Sequence, residues 1–134
     1  MIQTFCQLAL RYQIIYKGQK GTTGPTIAII NAVGAISDDG GRSSDNLTPK
    51  PFIRQINQAL RNPQVKAALI RIDSPGGSAF ASDLMWRKIL ELKEKKPVVA
   101  SMVDVAASGG YYMAMGCDLV CAEELTVTGS IGVL

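Results

Sequence analysis

Nearly continuous apolar runs, rich in β-branched residues, recur along the chain at 26–33, 65–72, 98–103 and 119–122. A run that is apolar on both faces is expected of a strand buried in a parallel sheet. A long polar stretch, 37–46, follows the first run and has the composition of a loop. The pattern therefore predicts four buried strands separated by connections long enough to hold helices.

Two of these connections have apolar residues at helical spacing. The first predicted helix begins at Thr48-Pro49 and ends before Asn62-Pro63, since Pro is favoured at a helix start and ends a helix that it follows. The second follows the turn 73–78, and its apolar positions are Phe80, Leu84, Met85, Ile89 and Leu92. A short helix rich in small residues is expected from Ser108 to Met115. The alternation of strands and helices predicts an α/β fold with a mainly parallel sheet.

The chain length of 134 residues fits one domain. Hydrophobic residues make up 47% of the chain and charged residues 19%, which is typical of a globular protein with a core. We expect a poorly defined N-terminal segment at 1–25 and a domain at 26–134. The apolar stretch that ends at Leu134 without a polar cap predicts a sheet that is incomplete at its C-terminus.

Charge and residue types exclude several classes of function. The net charge of +3 is dispersed, and the basic group Lys93, Lys95 and Lys96 is accompanied by glutamates and lacks interleaved aromatic residues, so nucleic acid is not an expected partner. The chain has no histidine, which excludes a self-contained Ser-His-Asp triad or Cys-His dyad and argues against a catalytic zinc site. No metal or cofactor is expected. No targeting or transmembrane segment is visible, so membrane association would need segments outside this chain.

Three cysteines are too few for a disulfide framework. Cys117 and Cys121 lie four residues apart in an expected strand, where a rise of roughly 3.3 Å per residue keeps them too far apart to bridge. We expect both to be buried apolar residues.

Two glycine-rich turns follow predicted strands and precede predicted helices. Right-handed crossovers put such turns at one edge of a parallel sheet, so the turns near 76 and 109 should face one cleft. Backbone N–H groups of Gly76-Gly77 could bind an anion or a developing oxyanion, although a tight turn capped by Ser78 explains the same residues. Ser108, before Gly109-Gly110, could be a nucleophile or simply a helix cap.

Three ordered motifs resemble the signal peptide peptidase A, or protease IV, family of serine peptidases. They are Ile72-Asp73-Ser74-Pro75-Gly76-Gly77-Ser78, Asp104-Val105-Ala106-Ala107-Ser108-Gly109-Gly110-Tyr111-Tyr112 and Leu125-Thr126-Val127-Thr128-Gly129-Ser130-Ile131-Gly132-Val133. The stretches 81–87 and 111–115 look most like the plant plastid members. The resemblance implies a ClpP/crotonase-like fold, a Ser-Lys catalytic dyad and a location in the plastid, associated with the thylakoid membrane.

The resemblance also implies roles for particular residues. Ser108 would be the nucleophile, Gly109 and one of Gly76 or Gly77 would donate to the oxyanion, and Ser130 would orient the lysine. In the family this lysine lies either well downstream of the nucleophile or in a preceding, related half of a longer chain, and the resemblance places both outside this sequence. None of the lysines at 66, 88, 93, 95 or 96 is expected to be buried, so none of them is assigned as the base. Tyr111 and Tyr112 could line the substrate groove, with packing against the sheet as the other explanation of at least one of them.

The resemblance implies an endopeptidase that degrades cleaved signal peptides or other short hydrophobic peptides, in a homo-oligomer. Without its base, the isolated chain is expected to be inactive. The alternative is a catalytically inactive oligomerisation module of the same fold. A third hypothesis is acyl-CoA chemistry on a crotonase fold, for which Asp73 and Asp104 are the nearby carboxylates.

Overall fold

The computed structural model describes residues 24–38 and 46–132. In chain order its elements are β1 (Thr26–Val33), α1 (Pro49–Arg61), β2 (Val65–Ser74), α2 (Ala79–Lys93), β3 (Val98–Ala107), α3 (Gly109–Ala114), β4 (Leu119–Ala122) and β5 (Val127–Gly129). Almost all of the predicted N-terminal segment 1–25 lies outside the described residues, as does the end of the chain at 133–134. The predictions about those two regions therefore stay predictions.

The strands form one parallel sheet in the order β1-β2-β3-β4. The short strand β5 pairs with the end of β3, also in parallel, through Val105–Ala107. The four strands predicted from apolar runs are present, and the alternation of strands with helices is confirmed. The predicted burial of all four was wrong for β1 and β4, because they are the outer strands in the order β1-β2-β3-β4 and leave Ile27, Val33 and Val120 41%, 45% and 43% exposed. β2 and β3 continue to Ser74 and Ala107, beyond the apolar runs, and carry the chain to the two glycine turns.

Helices α1 and α2 pack against each other, and α1 covers β1 and β2. The largest fully buried side chains include Phe52 and Ile56 of α1 and Met85 and Ile89 of α2. Burial of one such side chain stabilises the fold by about 1.5–3 kcal/mol. Phe80 does not join this core and is 66% exposed. Its predicted place on the apolar face was wrong because, at about 100° per residue, it lies about 140° around the helix from the buried Met85.

The pairing of β2 with β3 becomes irregular where both strands approach the glycine turns. Ile72 pairs with Met102, but Ser74 pairs with Ala106, so β3 has two extra residues in this interval. Val105 has no pairing partner in β2, and its backbone N–H donates instead to Oδ1 of Asp73 at 3.3 Å. Bulges of this kind redirect a strand and are frequent beside active sites. Here the bulge leads β3 into Ser108.

Both cysteines that were expected to be apolar core residues are buried and free. Cys121 lies in β4, whereas Cys117 precedes that strand, so the prediction that both share a strand was wrong. Burial, together with the nearby charge of Asp118, raises the pKa of the Cys117 thiol to about 12. The thiol is therefore protonated and unreactive at neutral pH.

Candidate active site

The chain after β2 forms a corner, residues 74–78, that lies alongside the chain after β1. The Gly34 N–H donates to the carbonyl oxygen of Asp73 at 2.9 Å, and the Ile36 N–H donates to that of Gly76 at 2.8 Å. The Ser78 N–H in turn donates to the Ile36 carbonyl oxygen at 2.9 Å. This ladder of backbone hydrogen bonds holds the corner at the carboxyl edge of the sheet.

The second glycine turn packs directly against this corner. Gly76 has φ +92°, and a Cβ atom at this position would lie 2.6 Å from the nitrogen of Gly109 and 2.7 Å from Cβ of Ser108. No side chain fits such a gap, so only glycine permits this approach. The prediction that the turns near 76 and 109 face one cleft is confirmed.

Ser108 has an unusual backbone conformation, with φ 51° and ψ −117°. A residue other than glycine in such a region costs roughly 1–3 kcal/mol, and such outliers concentrate at functional sites. Although Ser108 occupies the first position before α3, its hydroxyl makes no capping hydrogen bond. Its own N–H donates to the carbonyl oxygen of Gly129 at 2.9 Å. The helix-cap explanation of Ser108 is therefore wrong, and its side chain is exposed in the cleft.

The bridge between Ile36 and Gly77 sets the direction of the Gly77 N–H. In this parallel bridge Ile36 bonds to the carbonyl of Gly76 and to the N–H of Ser78, so the N–H of Gly77 points away from Ile36 and toward the β3 side. The Gly76 N–H instead donates to the hydroxyl oxygen of Ser74 at 3.2 Å. Among the described residues, the N–H groups of Gly77 and Gly109 have no acceptor, and both glycines line the cleft.

Tyr111 and Tyr112 both line the cleft with Ser108. Tyr111 also packs against the hydrophobic core, as expected for one of the two. Tyr112 packs on Trp86 with ring centroids 5.3 Å apart, and its hydroxyl donates to Oδ1 of Asp83 at 3.2 Å. Burial and this hydrogen bond raise the pKa of Tyr112. One wall of the cleft is thus built from α2 and α3 together. The other apolar residues that line the cleft are Ala79, Met115 and Ile131.

Sequence comparison gives the same result as the three motifs. The sequence pattern of peptidase family S49 matches residues 91–134. The chain is 52% identical over 129 residues to the chloroplastic serine protease SPPA of Arabidopsis thaliana, a match that covers 92% of this chain and 19% of that protein. It is 40% identical over 108 residues to Protease 4 of Haemophilus influenzae, with coverage of 80% and 17%.

This chain belongs to peptidase family S49. It spans only about a fifth of the length of these two relatives. The higher identity to the chloroplastic protein agrees with the resemblance of the stretches 81–87 and 111–115 to plastid members of the family.

Solved structures confirm the ClpP/crotonase-like α/β fold. A membrane-bound stomatin-specific protease superposes with a TM-score of 0.60 at 21% identity, covering 81% of this chain and 49% of that one. An enoyl-CoA hydratase from Polaromonas sp. superposes with a TM-score of 0.57 at 23% identity and the same coverage. At these identities the similarity concerns the fold alone.

The carboxylates considered for acyl-CoA chemistry are not in the cleft of this S49 chain. Asp73 accepts the backbone N–H of Val105, and Asp104 is exposed. Neither lines the cleft that contains Ser108. A site with paired carboxylates is thus not formed by these two residues.

Ser130, the residue for which the family resemblance implies a lysine-orienting role, lines the cleft with Ser108. It follows Gly129, whose carbonyl accepts the Ser108 N–H, and it has φ 52°. Because Gly129 bonds Ser108 directly, the motif 125–133 lies at the same site as the two glycine-turn motifs.

Three lysines of this S49 chain are engaged elsewhere. Nζ of Lys96 donates to the carbonyl oxygens of Ala59 and Asn62, at 2.6 and 2.8 Å, and its partial burial lowers its pKa. Lys88 pairs with Glu91 on the surface of α2, and Lys93 bonds the carbonyl oxygen of Cys117. The cleft lining contains no lysine among the described residues.

Residues 24–38 and 46–132 contain no helix with the length and apolar character needed to cross a bilayer. Over the same ranges, His, Cys, Asp and Glu form no group of three or more that could bind a metal ion.

Sequence reasoning missed Ser74 and Asp83 as contributors to this site. Ser74 is part of the first motif, but its partner Gly34 lies 40 positions away in the chain. Asp83 lies on α2, and its contact with Tyr112 depends on how α2 meets α3. No local pattern indicates either contact.

Proposed function

We propose that the protein is a serine endopeptidase and that Ser108 forms the acyl-enzyme. The observation that carries this proposal is the Ser108 hydroxyl, which is exposed in a cleft, free of the capping role its position would allow, and held on a strained backbone. Its oxygen would attack the carbonyl carbon of a peptide bond while the catalytic base takes the hydroxyl proton. The C–N bond would then break, the amine would leave with that proton, and water would hydrolyse the acyl-enzyme.

The oxyanion of the tetrahedral intermediate would be bound by two backbone donors. The Gly109 N–H is one, and the direction of the Gly77 N–H favours Gly77 over Gly76 as the second. Preformed donors of this kind stabilise the developing charge without reorganisation, and the loss of one typically lowers kcat about 10²–10³-fold.

The general base would be a lysine from outside these 134 residues, with Ser130 orienting its amine. The absence of histidine from the chain and of lysine from the described cleft lining supports this division of the site. A lysine acts as a base near neutral pH only when burial lowers its pKa, and a completed, closed cleft would provide such burial. Without that lysine the isolated chain would be inactive.

Substrates would be cleaved signal peptides or other short hydrophobic peptides. Tyr111, Tyr112, Met115 and Ile131 give the cleft an apolar lining suited to such side chains, and an extended peptide could add as a strand at the sheet edge. By similarity to the chloroplastic relative, the protein would act in the plastid, in association with the thylakoid membrane through segments outside this chain. The active form would be a homo-oligomer.

A fluorophosphonate probe tests the nucleophile, because the serine oxygen displaces fluoride and stays bonded to phosphorus. The protein is used at the length at which the cell produces it. We expect labelling of the wild type and of Ser101→Ala, a buried serine of β3, and none of Ser108→Ala. Equal labelling of wild type and Ser108→Ala would reject the proposal.

The alternative is an inactive oligomerisation module. Its support is the exposed apolar surface near β5, where Leu125 is 91% and Val127 63% exposed. A stable oligomer that neither cleaves peptides nor reacts with the probe would favour this alternative.

A further inference from the structure

Ser74 ends β2 and is fully buried, with 0% of its surface exposed. Its hydroxyl donates to the carbonyl oxygen of Gly34 at 2.7 Å and accepts the N–H of Gly76 at 3.2 Å. One hydroxyl thus joins the chain after β1 to the glycine corner after β2.

This hydroxyl occupies one of the two glycine N–H donors at the corner. It occupies the N–H of Gly76, whereas the next N–H, that of Gly77, points toward the β3 side and has no acceptor among the described residues. Gly76 packs against the Ser108-Gly109 turn, and its N–H donates to the Ser74 hydroxyl. A rotation of the peptide at Gly76 would therefore move the Gly77 N–H relative to the Ser108 hydroxyl.

The other buried hydroxyl near the site has a different role. Ser82 donates to the carbonyl oxygen of Ser78, the capping residue directly before α2. This bond lies at the start of α2 and joins no separate segments. Of these two serines, only Ser74 links the corner to another segment of the chain, the one that follows β1.

We propose that Ser74 is a positioning residue, whose hydroxyl holds the Gly76-Gly77 corner so that the Gly77 N–H is directed at the oxyanion formed by attack of Ser108. The inference rests on the proposed peptidase function. Ser74 touches neither substrate nor reacting atoms and acts through the backbone of the corner. A small displacement of a donor from its productive position can lower the rate by up to about 10²-fold.

The test compares Ser74→Ala with Ser101→Ala, a second buried serine of the same sheet, in the protein at its natural length. Peptide cleavage and fluorophosphonate labelling are normalised to the folded fraction measured by circular dichroism. We expect Ser74→Ala to lower kcat and the labelling rate at least about tenfold with KM within about twofold, because only the transition state carries the oxyanion. Ser101→Ala should retain wild-type rates.

Ser74→Cys covers the case in which Ser74→Ala does not fold. The thiol has nearly the shape of the hydroxyl but is a weaker hydrogen-bond partner, so its rate should be intermediate between those of wild type and Ser74→Ala. A kcat for Ser74→Ala or Ser74→Cys equal to that of Ser101→Ala, or a rise in KM alone, would overturn the positioning role. If Ser108→Ala still reacts with the probe, the peptidase proposal fails instead, so the two failures are distinguishable.

Discussion

Ser78 and Ser108 both precede a helix, yet they are used in opposite ways. The Ser78 hydroxyl accepts the N–H of Ala81 at 3.1 Å and bonds the carboxylate of Asp38, and its φ is −53°. Ser108 has φ 51°, and its hydroxyl caps nothing. Ser78 follows the usual chemistry of a helix start, whereas Ser108 departs from it.

The difference shows how one residue type can serve stability at one turn and reactivity at another. A capping hydroxyl stabilises a helix start by about 1 kcal/mol and is thereby committed to the backbone. The hydroxyl of Ser108 contributes no such bond, and its backbone strain opposes folding. The fold keeps that strain because Gly76 and Gly129 hold the Ser108 turn from both sides.

Gly76→Ala should have the largest effect on this arrangement. The added methyl group would meet Gly109 and Ser108 at less than 3 Å, so we expect a loss of roughly 2–4 kcal/mol in the free energy of unfolding and loss of probe labelling. Gly132→Ala is the matched control, since Gly132 has φ +96° but open space around it. Urea denaturation of both variants measures the difference. Equal losses would mean that backbone strain, rather than contact between the turns, dominates.

Ser108→Gly should separate reactivity from stability. Glycine accepts the observed φ without strain, so the variant should gain about 1 kcal/mol in the free energy of unfolding while losing all probe labelling. Thermal unfolding and labelling are measured on the same samples. A destabilised variant would contradict the view that Ser108 is strained.

Ser78→Ala should show the opposite pattern. Loss of the cap should lower the free energy of unfolding by about 1 kcal/mol, and labelling of the folded fraction should stay within about threefold of wild type. Chemical denaturation and the labelling rate test both parts. An unchanged free energy of unfolding would mean that the Ser78 hydroxyl does not stabilise the start of α2.

Tyr112→Phe should have the smallest effect. It removes the hydrogen bond to Asp83 that joins α2 to α3, the two helices that begin after Ser78 and Ser108. We expect a melting temperature lowered by less than in Ser78→Ala at pH 7. Because the pKa of Tyr112 is raised in the folded state, the unfolded chain ionises first as pH rises past 10.0.

The stabilising effect of Tyr112 is therefore present below pH 10 and lost above it. Melting temperatures of wild type and Tyr112→Phe between pH 7 and 11 should converge at the alkaline end. A gap that stays constant or widens with pH would contradict the assigned hydrogen bond.

Local pattern predicted much of the fold. The strand at 26–33 and the helix that begins at Pro49 have the expected bounds because apolar runs and helix-start residues act on their immediate neighbours. Phe80 shows the limit of such reasoning, since its apolar character fitted a helix face that the structure leaves exposed. Phe80 and Leu84 are four residues apart and so share one side of the helix, but the side that the fold buries is centred on Met85.

The sequence by itself determined that parallel strands would carry two glycine turns to one edge, and that Ser108 would stand at one of them. Only the tertiary structure decided that Ser108 does not cap its helix, that Gly76 packs directly against the Ser108-Gly109 turn, and that the Ser74 hydroxyl bonds both Gly34 and Gly76. The physical reason is the distance along the chain between the residues that interact. Strand and helix formation depend on residues a few positions apart, whereas these three features depend on contacts between segments that are distant along the chain, such as Ser74 with Gly34.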